Sequence, residues 1–147
     1  MNIRRTTSLI LTAFTRAKHR HGFGIQSPWA YELVRDVLYE RLPYYAYAEQ
    51  GLATPLDQQL FRIRNHYRKQ PIIIIDEKDA AASRRYDEVM QSSVTPDTIL
   101  IIEHTHDSNA GLWQTVVDDP RAVITFDMGR RGMVVFDPKR IKQNYLL

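Results

Sequence analysis

The chain has no cysteine, and only six of its 147 residues are glycine. Without cysteine there is no disulfide, no thiolate nucleophile and no cysteine-ligated zinc. That absence suits a reducing compartment, and a cytoplasmic location is expected. No apolar run approaches the roughly 20 residues that a membrane-spanning helix needs, so no membrane association is expected either. Arg4-Arg5 followed by Leu9-Ile10-Leu11 falls short of an export signal: the apolar stretch is brief, Arg16 and Lys18 follow it, and no small-residue cleavage site is seen. The most telling absence is local. The turn after Ile72-Ile73-Ile74-Ile75 reads Asp76-Glu77-Lys78-Asp79-Ala80-Ala81-Ala82-Ser83 and holds no glycine. In nucleotide-binding α/β proteins that turn is glycine-rich, so that backbone can approach a phosphate or a cofactor carboxylate.

The composition, 44% apolar and 25% charged, is that of a soluble globular chain, and the length suits one domain spanning residues 1–147. The net charge is +3 and unevenly placed. Residues 1–22 carry Arg4, Arg5, Arg16, Lys18 and Arg20 with His19 and His21 and no acid. Such an arm suits a polyanion or an acidic partner as well as a plain solvated helix face.

Leu9, Ile10, Ala13, Phe14 and Ala17 recur at helical spacing and predict an amphipathic helix over 3–18. Ser27-Pro28 supplies a cap and a first-turn proline for a second helix, which ends by Pro43. The tyrosine-rich stretch Tyr44–Pro55 reads as a loop, its rings suited to covering a core edge or to stacking on bases. A third helix over 56–67 points Leu60, Phe61 and Ile63 inward and Arg62, Arg64, Arg68 and Lys69 outward. The order then becomes strand 72–75, helix 80–92, strand 98–103, helix 109–118 and two strands, 122–127 and 132–137. The last two are joined by the hairpin signal Met128-Gly129-Arg130-Arg131. A helical section, 1–55, thus precedes an α/β section, 56–147. Alternating strands and helices argue for a parallel sheet closed by an antiparallel hairpin. Ligands of such sheets lie beyond the carboxyl ends of the strands, which directs attention to Asp76–Ser83, Glu103–Ser108 and Asp127.

Arg20-His21-Gly22 with Ser27-Pro28-Trp29-Ala30-Tyr31-Glu32-Leu33-Val34 resembles the opening of a group of Bacteroidetes class I S-adenosylmethionine-dependent methyltransferases. Leu60-Phe61-Arg62-Ile63, the run Ile99 to Ser108, Val123 to Asp127, and Gly132 to Phe136 are similar to later parts of the same proteins. The resemblance implies a three-layer Rossmann-like sheet, shortened between the isoleucine strand and Ile99. Family sheets run 3-2-1-4-5-7-6. Loss of strands two to four leaves about four strands, in this chain's own numbering 1-2-4-3 with the last antiparallel. Residues 72–75 then form an edge, expected to be covered by the amino-terminal helices or paired with a protein partner or a second copy.

The family's cofactor motif, Glu-x-Gly-x-x-x-Gly, falls on Ile74, Asp76 and Ala80, so all three signature residues are replaced. A carboxylate at Asp76 would face the cofactor's own carboxylate. The resemblance therefore implies a degenerate domain without methyl transfer, acting by protein interaction, with no cofactor expected unless the ancestral S-adenosylmethionine site survives. The alternative is a small-molecule O- or N-methyltransferase with an atypical cofactor site. For that alternative Glu103 and His106 are the catalytic candidates. His104, His106 and Asp107 offer imidazole and carboxylate to a divalent metal, but His-x-His alone is a weak motif that better suits a polar loop capping the next helix, and no metal is expected. Nucleic-acid binding through Arg4, Arg5, Arg16, Lys18, Arg62 and Arg64 is a third possibility.

Overall fold

The computed structural model describes residues 24–147. The helix read over 3–18 and the basic arm at 1–22 lie outside the described residues. The chain divides into two compact units, one ending at Arg68 and joined by Leu147, the other Lys69–Leu146.

In the first unit α1 spans Pro28–Leu33, with Pro28 in its first turn and the Ser27 hydroxyl accepting from the Ala30 amide at 3.4 Å. It runs on into a π-helical turn, Val34–Leu38, closed by the Tyr39 amide on the Val34 carbonyl at 2.9 Å. The stretch expected to be a loop contains a short helix, α2, Tyr45–Glu49. Five residues between Pro43 and Gly51 are too few to display a helical period. Helix α3, Pro55–His66, starts at Thr54, whose hydroxyl accepts from the Asp57 amide at 3.1 Å. Arg62 does not point outward as its spacing suggested. Its guanidinium donates to the Val37 carbonyl (2.6 Å), the Leu38 carbonyl (3.0 Å) and the Tyr47 hydroxyl (3.0 Å), satisfying carbonyls at the end of the π-helical turn. Tyr47 in turn meets Phe61 edge to face, ring centres 5.7 Å apart, while Tyr45 stays exposed.

The second unit is α/β. Strand β1 is Ile72–Ile75, α4 is Asp79–Ser92, β2 is Ile99–Glu103, α5 is Ala110–Asp118, β3 is Ile124–Asp127, β4 is Arg131–Val135 and β5 is Gln143–Leu146. The sheet is open and mixed, in the order β1-β2-β4-β3-β5. β1 and β2 run parallel, β4 is antiparallel to both its neighbours, and β5 lies parallel to β3. The order expected for the first four strands holds, with the isoleucine strand at one end. The expected count of four does not, because β5 adds a fifth strand outside β3. A segment reading Gln-Asn-Tyr-Leu shows no alternation and passes for a tail. It is held by the Gln143 amide on the Val123 carbonyl (2.9 Å), by Thr125 donating to Asn144 Oδ1 (2.8 Å), and by Tyr145 stacked on Phe126.

Ile75, Leu100, Ile102, Val134 and Phe136 meet Ala82, Tyr86 and Val89 of α4 and Leu112, Trp113 and Val116 of α5 in one buried cluster. Ile99 and Ile101, on the other face of β2, are buried too, as expected of a near-continuous apolar central strand. Trp113 explains a glycine. A Cβ on Gly132 would stand 2.3 Å from its indole ring, so β4 has no side chain where α5 presses on the sheet. The β3–β4 hairpin turns through Gly129 at φ +91°, the first central position of the turn, with the Met128 amide on the Arg131 carbonyl at 2.9 Å.

Candidate functional site at the carboxyl end of the sheet

β1, β2 and β3 end at Ile75, Glu103 and Asp127, and the antiparallel β4 begins at Arg131, so the topology gathers these four points on one side. The side chains there form an inner and an outer layer.

The inner layer is buried. The ladder sets Glu103 opposite Arg131, whose Nε and Nη2 both approach Glu103 Oε1 at 2.7 Å. Both side chains are largely shielded, at 13% and 5% exposure. Glu103, a catalytic candidate by sequence, is thus committed to an ion pair across β2 and β4. Thr105 is buried and donates its hydroxyl to the Gly129 carbonyl at 3.0 Å, fastening the β2 loop to the hairpin.

Asn109 is the third member, and nothing in the sequence pattern singled it out. It precedes α5, where asparagine ordinarily caps its own helix, yet it makes no such bond. Its amide nitrogen instead donates to the carbonyls of Glu77 (2.8 Å) and Glu103 (2.9 Å), and its Oδ1 accepts from the Asp79 amide (3.0 Å). One buried carboxamide therefore ties the turn after β1 to the end of β2. Asp79 (φ +55°) and His104 (φ +61°) are the non-glycine residues with positive φ among those described. Such backbone persists only where surroundings hold it. Asn109 supplies that hold in both places, through its side chain on Asp79 and its own amide on the His104 carbonyl at 3.0 Å.

The outer layer faces solvent. His104 Nε2 lies 3.2 Å from Asp76 Oδ1. His106 Nε2 lies 2.9 Å from both carboxylate oxygens of Asp127, whose Oδ1 also accepts from the Gly129 amide at 2.9 Å. The His106 side chain is about half exposed and that of Asp127 mostly buried. Asp107 Oδ1 accepts from the amide and the hydroxyl of Ser108, which hold its carboxyl below the usual carboxylate range.

Of the positions matching the methyltransferase motif, Ile74 is half-buried in β1, Asp76 sits exposed on His104, and Ala80 is exposed in the first turn of α4. Of the metal candidates, His104 lies between Asp76 on its Nε2 and Asp107, 3.9 Å from its Nδ1, while His106 turns away to Asp127. Among the described residues no group of three His, Cys, Asp or Glu side chains converges to hold a metal. What the arrangement offers chemically is an imidazole oriented by a carboxylate, His106 on Asp127, able to pass a proton at the surface.

Comparison of the chain with protein-family models, with curated proteins and with solved structures finds no match.

Proposed function

We propose that the chain is a degenerate methyltransferase-like domain, built on a shortened three-layer Rossmann-like sheet, that carries out no methyl transfer and acts by protein interaction through the edge strand β1. The observation that carries this reading is Asn109. In a cofactor-binding sheet the turn after the first strand offers free amides and glycine backbone to the ligand. Here the Asp79 amide at the start of α4 is taken by Asn109 Oδ1, and the Asp76 carboxylate rests on His104. The turn is closed by the protein's own groups and carries negative charge where a cofactor carboxylate would approach. Calorimetric titration with S-adenosylmethionine and S-adenosylhomocysteine tests it. No heat is expected up to millimolar ligand from folded protein, whereas micromolar binding would overturn the reading.

The His106–Asp127 pair favours a second reading, small-molecule O- or N-methyl transfer with an atypical cofactor site. In it His106, held by Asp127 at 2.9 Å, takes the proton of the acceptor hydroxyl or amine. Label transfer from radioactive S-adenosylmethionine to a panel of phenols and amines, lost on His106→Ala, would establish it. Absence of transfer from all of them would remove it.

A further inference from the structure

We propose that two copies of this chain join through β1, antiparallel to one another, about a two-fold axis passing at Ile73. The inference rests on the reading of the β1 edge as an interaction surface and adds what occupies it. The Ile99 amide donates to the Pro71 carbonyl at 2.9 Å, and the register sets Ile72 beside Ile99 and Ile74 beside Ile101. Along a parallel ladder, alternate residues turn their backbone groups to opposite sides. Ile73 and Ile75 therefore bond toward β2, and the amides and carbonyls of Ile72 and Ile74 point away from the sheet. No described strand pairs with them there.

A two-fold at Ile73 sets Ile72 opposite Ile74 of the second copy, and each can exchange its amide and carbonyl with the other. Ile73 then faces its own equivalent in a non-hydrogen-bonded pair. On its face of the sheet Ile73 continues into Met90 and Val94, both half-buried against the core cluster, so the joined edges would extend an apolar layer. Nothing charged lies within Ile72–Ile75, where other edge strands carry lysine or proline against such pairing. The opposite edge, β5, opens with Gln143 and Asn144, both exposed. Because the contact is isologous it closes at a dimer.

The lack of cysteine makes the register readable, since one introduced cysteine is the only thiol. Facing residues of a non-hydrogen-bonded antiparallel pair have Cα atoms about 4.5 Å apart, within the range a disulfide spans. Sedimentation of the unmodified chain is expected to give the dimer mass. Mild oxidation should cross-link Ile73→Cys with itself, but Ile72→Cys only when mixed with Ile74→Cys. A monomer at high micromolar concentration whose Ile72 and Ile74 amides exchange rapidly would overturn both this inference and the reading of β1 as an interaction edge. A monomer in which those amides are protected would overturn the second copy alone. A dimer in which Ile72→Cys, and not Ile73→Cys, cross-links with itself would overturn the register. Titration with S-adenosylmethionine bears on none of these arms, so failure of the cofactor reading is separately visible.

Discussion

The two ends of the second unit's sheet handle polar groups differently. At the amino end of β3, one carboxylate does most of the work. Asp119 follows α5, accepts from the Tyr86 hydroxyl of α4 at 2.9 Å, and takes a two-pronged contact from Arg121 at 3.0 and 2.7 Å. Its backbone carbonyl and that of Ala122 receive Lys142 at 3.0 and 2.7 Å. Burial, with Asp119 as hydrogen-bond partner, pushes the Tyr86 hydroxyl well above its ordinary pKa. All these groups fasten helices and strands together. At the carboxyl end the inner layer does the same through Glu103, Arg131, Thr105 and Asn109, but a second layer of imidazole–carboxylate pairs lies outside it. The difference teaches where chemistry or recognition has room: outside Asn109, on His104 and His106, and not at Glu103. It also predicts a falling series of stability effects from the inner layer outward.

The largest effect belongs to Arg131→Met. Removing one member of a shielded pair leaves the Glu103 carboxylate without its 2.7 Å partner, a loss of about 3–5 kcal/mol. Urea denaturation measures it, and Arg131→Met combined with Glu103→Leu should recover much of the loss. If Arg131→Met costs under about 1 kcal/mol, the inner layer is not structural and Glu103 returns as a catalytic candidate.

Asn109→Ala comes next. It strips partners from the Glu77 and Glu103 carbonyls and from the Asp79 amide, and a loss of about 2–3 kcal/mol is expected. Hydrogen exchange at Asp79 should quicken more than at the centre of α4. A uniform change across the unit would mean that Asn109 acts by packing, and the closed turn of β1 would need another cause.

Much of this frame was legible in the residues. Four isoleucines, the run Ile99–Glu103 and Gly129 in a short polar turn each obey a local rule, and each element stands where that rule places it. β5 was not legible, because its hold on β3 comes from Thr125, Phe126 and Val123, far off in sequence, and not from any pattern of its own. Arg62 misled for the same reason: its partners are carbonyls left open by a π-helical turn that no spacing announced. Glu103 looked catalytic because an acid ends a strand where ligands bind. The strand order set the final hairpin beside β2, but the register that brings Arg131 opposite Glu103 did not follow from it, because Arg131 read as part of the turn. Asn109 gave no signal, since an asparagine before a helix reads as a cap.

At the amino end, Tyr86→Phe removes one hydrogen bond to a carboxylate that keeps its Arg121 contacts, and about 1–2 kcal/mol is expected at neutral pH. The pH dependence sharpens the assignment. Arg121 foremost holds the Asp119 carboxyl down to about 2 from an ordinary value of 3.8. A depressed carboxylate contributes stability that is present above the unfolded value and fades as pH falls through the folded one. The stability difference between the unmodified chain and Asp119→Asn should therefore be flat above about pH 5 and shrink between about pH 4 and 2. Arg121 is 59% exposed, so the titrating part is on the order of 1 kcal/mol after solvent screening. A difference that persists unchanged to pH 2 would show that the charge of Asp119 is not what ties α4 to α5.

The smallest effect is expected at His106. Its side chain is 47% exposed, and exposed ion pairs of this kind contribute about 0–1 kcal/mol. His106→Ala should leave the denaturation midpoint nearly where it was, although the 2.9 Å contact with Asp127 is shorter than several bonds of the inner layer. Short distance and small energy are compatible here, because water replaces the imidazole at little cost in the outer layer and cannot do so at Asn109. A loss above about 2 kcal/mol, the inner-layer scale, would erase the distinction between the layers, and with it the argument that the histidines are available for a role beyond holding the fold.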